Sequence, residues 1–306
     1  MKKFLCFLLL LTMLPFAPAK GEEEEIAIVA SFYPVYIIAA NVLEGVEGVH
    51  LSAMTPPSAG CLHDYQLLVS DMRALAQADL FLINGAGMEA FLPQVTGQFP
   101  ALQVVDCSHG IALLCNEEEH HHHSHEEEGG HHHEEEEYNP HIWLNPRNAI
   151  IMTENIAAAL SELMPLQAEK IRQNARQYAA RLEALDAEIS AALQSLPHRE
   201  IVTFHESFPY FADAYGLHVA AVVTLEPDSP LSPRMILEIV EKVRVAGNPP
   251  LFAEPQYPSA ALRAISLETG APVYQLDPLS SGDGSLTGYE DTLRKNVAVL
   301  IDALSQ

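Results

Sequence analysis

Residues 116–137 carry eight histidines and ten glutamates, with no apolar, lysine or arginine side chain among them. The histidines are His120, His121, His122, His123, His125, His131, His132 and His133. Clustered imidazoles at neutral pH are good ligands for zinc, copper and nickel, and the glutamates add oxygen ligands and a negative field. The segment cannot bury enough apolar surface to offset its ordering entropy, so it is expected to be a disordered loop. A loop without fixed geometry binds metal weakly, at several exchangeable positions.

Four residues outside that run could form a tighter site. His63 lies in Gly-Cys-Leu-His-Asp-Tyr, His141 in Asn-Pro-His-Ile-Trp-Leu-Asn-Pro, His205 in Thr-Phe-His-Glu-Ser-Phe and Asp277 in Gln-Leu-Asp-Pro-Leu-Ser. They stand at strand-to-helix junctions or beside conspicuous turns, and ligands of open α/β sheets bind at the carboxyl ends of strands. Three imidazoles and one carboxylate suit a closed tetrahedral zinc site, and manganese or iron could use it too. Taken singly, each has an ordinary structural alternative. A histidine at a strand end is commonly a surface residue, and Asp before Pro is common in turns. His50, His109, His198 and His218 have no distinguishing context and are expected to be structural or surface residues.

The elements that would position these residues read as two α/β units. Ile26–Ala30, His50–Met54, Leu80–Asn84 and Leu102–Asp106 are short apolar runs that read as strands, and helices are expected over Pro34–Leu43 and Met72–Ala78, the latter capped by Ser70-Asp71. From Arg147 to Leu196 the pattern is helical. Leu160, Leu163, Ile171, Tyr178, Leu182, Leu185, Ile189 and Leu193 share one face, and Pro165 marks a break or a first turn. The part after Pro165 is about 30 residues, or about 45 Å at helical rise, enough to connect two domains. Strand–helix alternation then resumes. The division expected is a leader at 1–19, an N-terminal α/β lobe at 20–146 containing the 116–137 loop, a helical segment at 147–196, and a C-terminal α/β lobe at 197–306.

Of 306 residues, 41 are acidic and 16 basic, a formal net charge of −25, so nucleic acid and anionic membrane surfaces are excluded as partners. Lys2 and Lys3, the apolar stretch Phe4–Leu14 and Ala17-Pro18-Ala19 read as a signal peptide cleaved after Ala19. The mature chain is expected outside the cytoplasm. Cys6 sits within the apolar stretch and is not a lipidation cysteine. Cys61, Cys107 and Cys115 remain, allowing one internal disulfide, and the proximity of Cys107 and Cys115 favours that pair.

Taken in order, the segments His63-Asp64-Tyr65 with Ser70-Asp71, Asn139 to Pro146, Phe204 to Phe208 with Tyr215-Gly216-Leu217, Glu254-Pro255-Gln256-Tyr257 and Leu276-Asp277-Pro278-Leu279 resemble the zinc-binding ABC transporter solute-binding proteins, cluster 9 or A-I. The resemblance covers nearly all of the mature chain. It implies two lobes, each a mainly parallel sheet flanked by helices, joined by one long rigid helix, with metal held between them. It also implies a monomer without catalytic activity or a small organic substrate, delivering metal to an ABC permease driven by an ATPase. The family's ligands map onto His63, His141 and His205. The fourth varies, and Asp277 matches the acidic choice. Some zinc proteins place a glutamate just before the first histidine, where this chain has Leu62. That favours Asp277 or water, while Cys61 could in principle contribute sulfur. A long His- and acid-rich loop before the second ligand is a feature of the zinc-specific branch and raises Zn2+ over Mn2+. Such a site requires neutral imidazoles, so affinity should fall as pH drops below about 6.5. Two other functions are an exported zinc buffer or adhesin working through its loop, and a zinc hydrolase. The second lacks an H-E-x-x-H helix.

Overall fold

The computed structural model describes residues 25–56, 62, 65–115, 138–223, 232–255 and 259–306. Its framework is two four-stranded parallel sheets. Parallel neighbours require crossover connections, and helices supply them here. In the first lobe, β1 (Ile26–Ala30), β2 (Val49–Ala53), β3 (Leu80–Ile83) and β4 (Gln103–Asp106) lie in the order β2-β1-β3-β4. In the second, β5 (Glu200–Thr203), β6 (His218–Val222), β7 (Leu251–Ala253) and β8 (Val273–Gln275) lie in the order β6-β5-β7-β8. The same winding thus occurs twice. In each sheet the chain moves outward to one side of its first strand and then returns to the other. The crevice beside that first strand is the topological switch point, where side chains at strand ends face open space.

Helices α1 (Tyr33–Val42), α2 (Val69–Leu75) and α3 (Leu92–Gln98) accompany the first sheet, and α6 (Pro209–Tyr215), α7 (Pro233–Val245), α8 (Ser259–Thr269) and α9 (Gly288–Leu304) the second. Two of these differ from expectation. Helix α2 begins at Val69 rather than Met72, because Asp71 caps from inside: its Oδ2 accepts the Leu68 N–H at 2.8 Å and the Tyr65 hydroxyl at 2.8 Å. Helix α3 was not anticipated, since Pro93 and Gly97 weaken its helical signal.

Between the sheets run α4 (Pro146–Leu163) and α5 (Ala168–Leu193), separated at Pro165 as expected. Helix α5 has 26 residues, about 39 Å at helical rise. Its apolar face is buried as its spacing requires: Ile171, Tyr178, Leu182, Leu185, Ile189 and Leu193 are at most 1% exposed. It is tied to both halves of the chain. Asn174 donates to the carbonyls of Val42, the last residue of α1, and of Glu44 just beyond it. Arg181 reaches Asn41 Oδ1 on α1 at 2.6 Å and Glu290 Oε1 on α9 at 2.8 Å. Further along, Asp186 accepts from the Tyr215 hydroxyl of α6 at 3.0 Å. One rigid rod therefore carries fixed contacts to each lobe. Among the described residues no helix is long and apolar enough to cross a membrane.

Cys107 is fully buried and Cys115 exposed, and both thiols are free. This corrects the expected Cys107–Cys115 bridge. Closeness in sequence did not bring the two sulfurs together, because Cys107 projects into the core and Cys115 does not. Leu62 is also fully buried in the core, so an apolar packing residue stands where some family members carry a glutamate.

At the switch point of the first sheet, Glu89 is buried beneath the turn that follows β3. Its carboxylate accepts the N–H groups of Asn84 at 2.8 Å and Gly85 at 3.1 Å. Gly85 has φ +80°, and a Cβ there would run into the Asp106 carboxylate, so the close approach depends on glycine. Burial pushes the Glu89 carboxyl from 4.5 up to about 7, and the nearby Asp106 adds to the rise. The folded state therefore holds this proton more tightly than the unfolded state. Its contribution is full below about pH 4.5 and is lost as pH rises toward 7, amounting to roughly 3 kcal/mol. Glu89→Gln should flatten this part of the stability profile. Unfolding midpoints measured at pH 5 and pH 7.5 should differ less in the variant than in the wild type; an equal difference would contradict the assignment.

Candidate metal centre

His205 follows β5 and Glu254 follows β7, and these are the two strands that flank the switch point of the second sheet. His205 Nδ1 is 2.9 Å from Glu254 Oε1, and the Ser207 hydroxyl donates to that same oxygen at 2.5 Å. Glu254 is 2% exposed and Ser207 fully buried. With the carboxylate as acceptor, Nδ1 carries the ring proton and Nε2 keeps its lone pair. This is the arrangement in which a buried carboxylate orients a metal-binding imidazole and raises its basicity.

His141 reaches the same place from the first lobe by a different route. It is not at a strand end. It follows Asn139-Pro140, after the antiparallel bridge between Cys115 and Tyr138. Asn84, just after β3, holds this peptide by donating Nδ2 to the Pro140 carbonyl at 2.9 Å. The His141 ring is fully buried, its Nδ1 is 3.1 Å from Asn139 Oδ1, and the Trp143 ring packs 5.1 Å away. The two imidazoles meet edge to face, with centroids 4.8 Å apart and planes at 86°.

Asp277 lies half-buried after β8. Its Oδ1 accepts the Leu279 N–H at 2.8 Å, while its backbone N–H and carbonyl are both bound by Asn296. Burial raises its carboxyl above the usual range, and the field of Glu254 pushes the same way. Among the described residues no set of three His, Cys, Asp or Glu side chains could hold a metal by itself. The structure thus brings His141 and His205 together and does not gather Asp277 with them into such a set. His63, Cys61 and the eight loop histidines lie outside the described residues. His50, His109, His198 and His218 are exposed, as expected.

Glu254, Ser207 and Asn139 have roles that sequence reasoning did not assign. The signal for Glu254 was the one that found His205: a polar side chain directly after a short apolar strand. The Glu-Pro step disguised it as a turn. Ser207 and Asn139 each lie two residues from a candidate histidine, close enough to bond its ring.

Residues 28–303 match the family described as zinc-uptake complex component A, periplasmic. The chain is 29% identical over 317 residues to the high-affinity zinc uptake system protein ZnuA of Brucella suis biovar 1, covering 94% of this chain and 93% of that protein. It is 29% identical over 292 residues to the zinc-binding protein AdcA of Streptococcus pyogenes serotype M6, covering 91% of this chain. It spans only about half (56%) of the length of that streptococcal protein. Among solved structures, zinc-bound AdcA from Streptococcus pneumoniae superposes with a TM-score of 0.76 at 26% identity, over 92% of this chain and 58% of that one. Manganese-bound FpvC of Pseudomonas aeruginosa also has a TM-score of 0.76, at 24% identity over 92% of this chain and 98% of that one, a likeness of fold. The family match runs through both sheets and both imidazoles, and on that extent the chain belongs to the zinc-uptake component A family of solute-binding proteins.

Proposed function

We propose that this chain is the extracytoplasmic binding component of a zinc importer. It captures Zn2+ between its two lobes and delivers it to an ABC permease driven by an ATPase. The observation that carries this is the pair His141 and His205. They come from different lobes, meet at 4.8 Å between centroids, and each is held by a neighbouring oxygen at Nδ1, which turns the Nε2 edge to the metal in this proposal. Relatives named for zinc uptake and zinc binding support the choice of cargo, and an imidazole-rich donor set favours zinc over manganese. His63 completes a three-histidine site in this proposal, with Asp277, water or Cys61 as the fourth ligand. The loop at 116–137 is an accessory that collects zinc weakly. Residues 1–19 form a cleaved export signal, and the protein works as a monomer. Solute-binding proteins of this family are not enzymes, and the proposed site holds its cargo without turning it over.

Zinc titration of the full chain and of a chain lacking residues 117–137 tests this. Both should show one tight site per chain, with additional weak sites only in the full chain. Loss of the tight site on deletion would make the loop the functional element and sink the proposal.

A further inference from the structure

Asn139 is 2% exposed and bonded on every side. Its Nδ2 donates across the lobes to the carbonyl of Glu206, next to His205, at 2.8 Å. That bond fixes which end of the amide is which, because a carbonyl oxygen accepts only from the NH2 group. Oδ1 must then face His141, where it accepts the backbone N–H at 3.0 Å. It also lies 3.1 Å from His141 Nδ1, so Nδ1 is the protonated ring nitrogen. The tautomer of a first-lobe imidazole is thus set by a contact to the second lobe.

Tyr210, on α6 of the second lobe and 3% exposed, secures the same residue from behind. Its hydroxyl donates to the Asn139 carbonyl at 2.8 Å and accepts the Leu114 N–H at 3.0 Å. Asn139 N–H in turn donates to the Leu114 carbonyl at 2.8 Å. Leu114 and Asn139 flank the Cys115–Tyr138 bridge, so one phenol binds the two chain segments that converge there.

We propose that Asn139 is a two-lobe positioning residue, locked by Tyr210. In this assignment it presents His141 Nε2 to the metal only while the lobes are together. Parting the lobes breaks the Asn139–Glu206 bond, frees the amide to rotate and releases the His141 ring. Metal release is then governed by the breaking of this contact. The inference rests on His141 being a zinc ligand, as proposed above.

The experiment has two arms. In the first, the His141 tautomer of the metal-free protein is read from long-range 1H–15N spectra. Wild type should hold the Nδ1–H form and Asn139→Ala should lose it; a ring that stays Nδ1–H in Asn139→Ala overturns the proposal. In the second, Zn2+ release into excess chelator is timed in folded wild type, Asn139→Asp and Tyr210→Phe. Asn139→Asp keeps the acceptor for His141 and loses the donor to Glu206, while Tyr210→Phe touches neither imidazole. Each should speed release about tenfold, at the low end of the usual effect of an outer contact on metal affinity, with association within about twofold of wild type. Wild-type release from either variant overturns the proposal. A wild-type chain that bound no zinc would instead overturn the functional reading, and the tautomer arm, which uses no metal, would still decide the role of Asn139.

Discussion

A chain carrying both His141→Ala and His205→Ala should lose tight zinc binding by roughly 10^4- to 10^6-fold. A structural zinc site is worth about 10–16 kcal/mol over four ligands, so two ligands account for about 5–8 kcal/mol. The two imidazoles come from different lobes and meet edge to face, and in the proposed site removing both leaves no described histidine to hold the metal between the lobes. Competition against a chelator of known affinity measures the loss. The weak sites proposed for 116–137 should survive, so the signature is disappearance of the tight phase with the shallow phase intact. Retention of the tight phase would remove both histidines from the site.

Trp143→Ala should cost about 3–5 kcal/mol of unfolding free energy, the range for truncating a large buried aromatic. The indole is fully buried and stands edge-on to Phe32, with centroids 5.1 Å apart at 84°. Its Nε1–H donates to the Pro278 carbonyl at 2.8 Å, and its own carbonyl accepts the Tyr289 hydroxyl at 2.6 Å. One side chain thus packs the segment after His141 against the turn that carries Asp277. Trp143→Phe should recover most of the packing and lose only the Pro278 bond, about 1 kcal/mol. Denaturant unfolding of the metal-free proteins separates the two. A Trp143→Ala variant within 1 kcal/mol of wild type would show that the contact contributes little.

Much of this arrangement was legible in the sequence, for reasons that also explain what was not. Strands such as Leu80–Ile83 and Leu251–Ala253 are buried in parallel sheets, so they read as short apolar runs between helices. The end of such a run is a switch-point position, and that placement is the ground on which His205 is proposed as a ligand. His141 came from its Asn-Pro-His-Ile-Trp context and not from a strand, because its support is a loop held by Asn84. What stayed hidden depends on pairs far apart in the chain. Tyr210 and Asn139 are 71 positions apart, and His205 and Glu254 are 49 apart. No local pattern announces such pairs. The Cys107–Cys115 expectation failed for a related reason, since sequence distance does not say which way a side chain points.

In the proposed site, zinc sits where the two lobes bring their imidazoles together. A crystal structure of the zinc-loaded protein, with anomalous data collected at the zinc edge, tests it most directly. One strong peak is expected about 2.0–2.1 Å from Nε2 of His63, His141 and His205, with His205 Nδ1 still on Glu254. A strong peak elsewhere, with the His141 and His205 nitrogens free of metal, would contradict it.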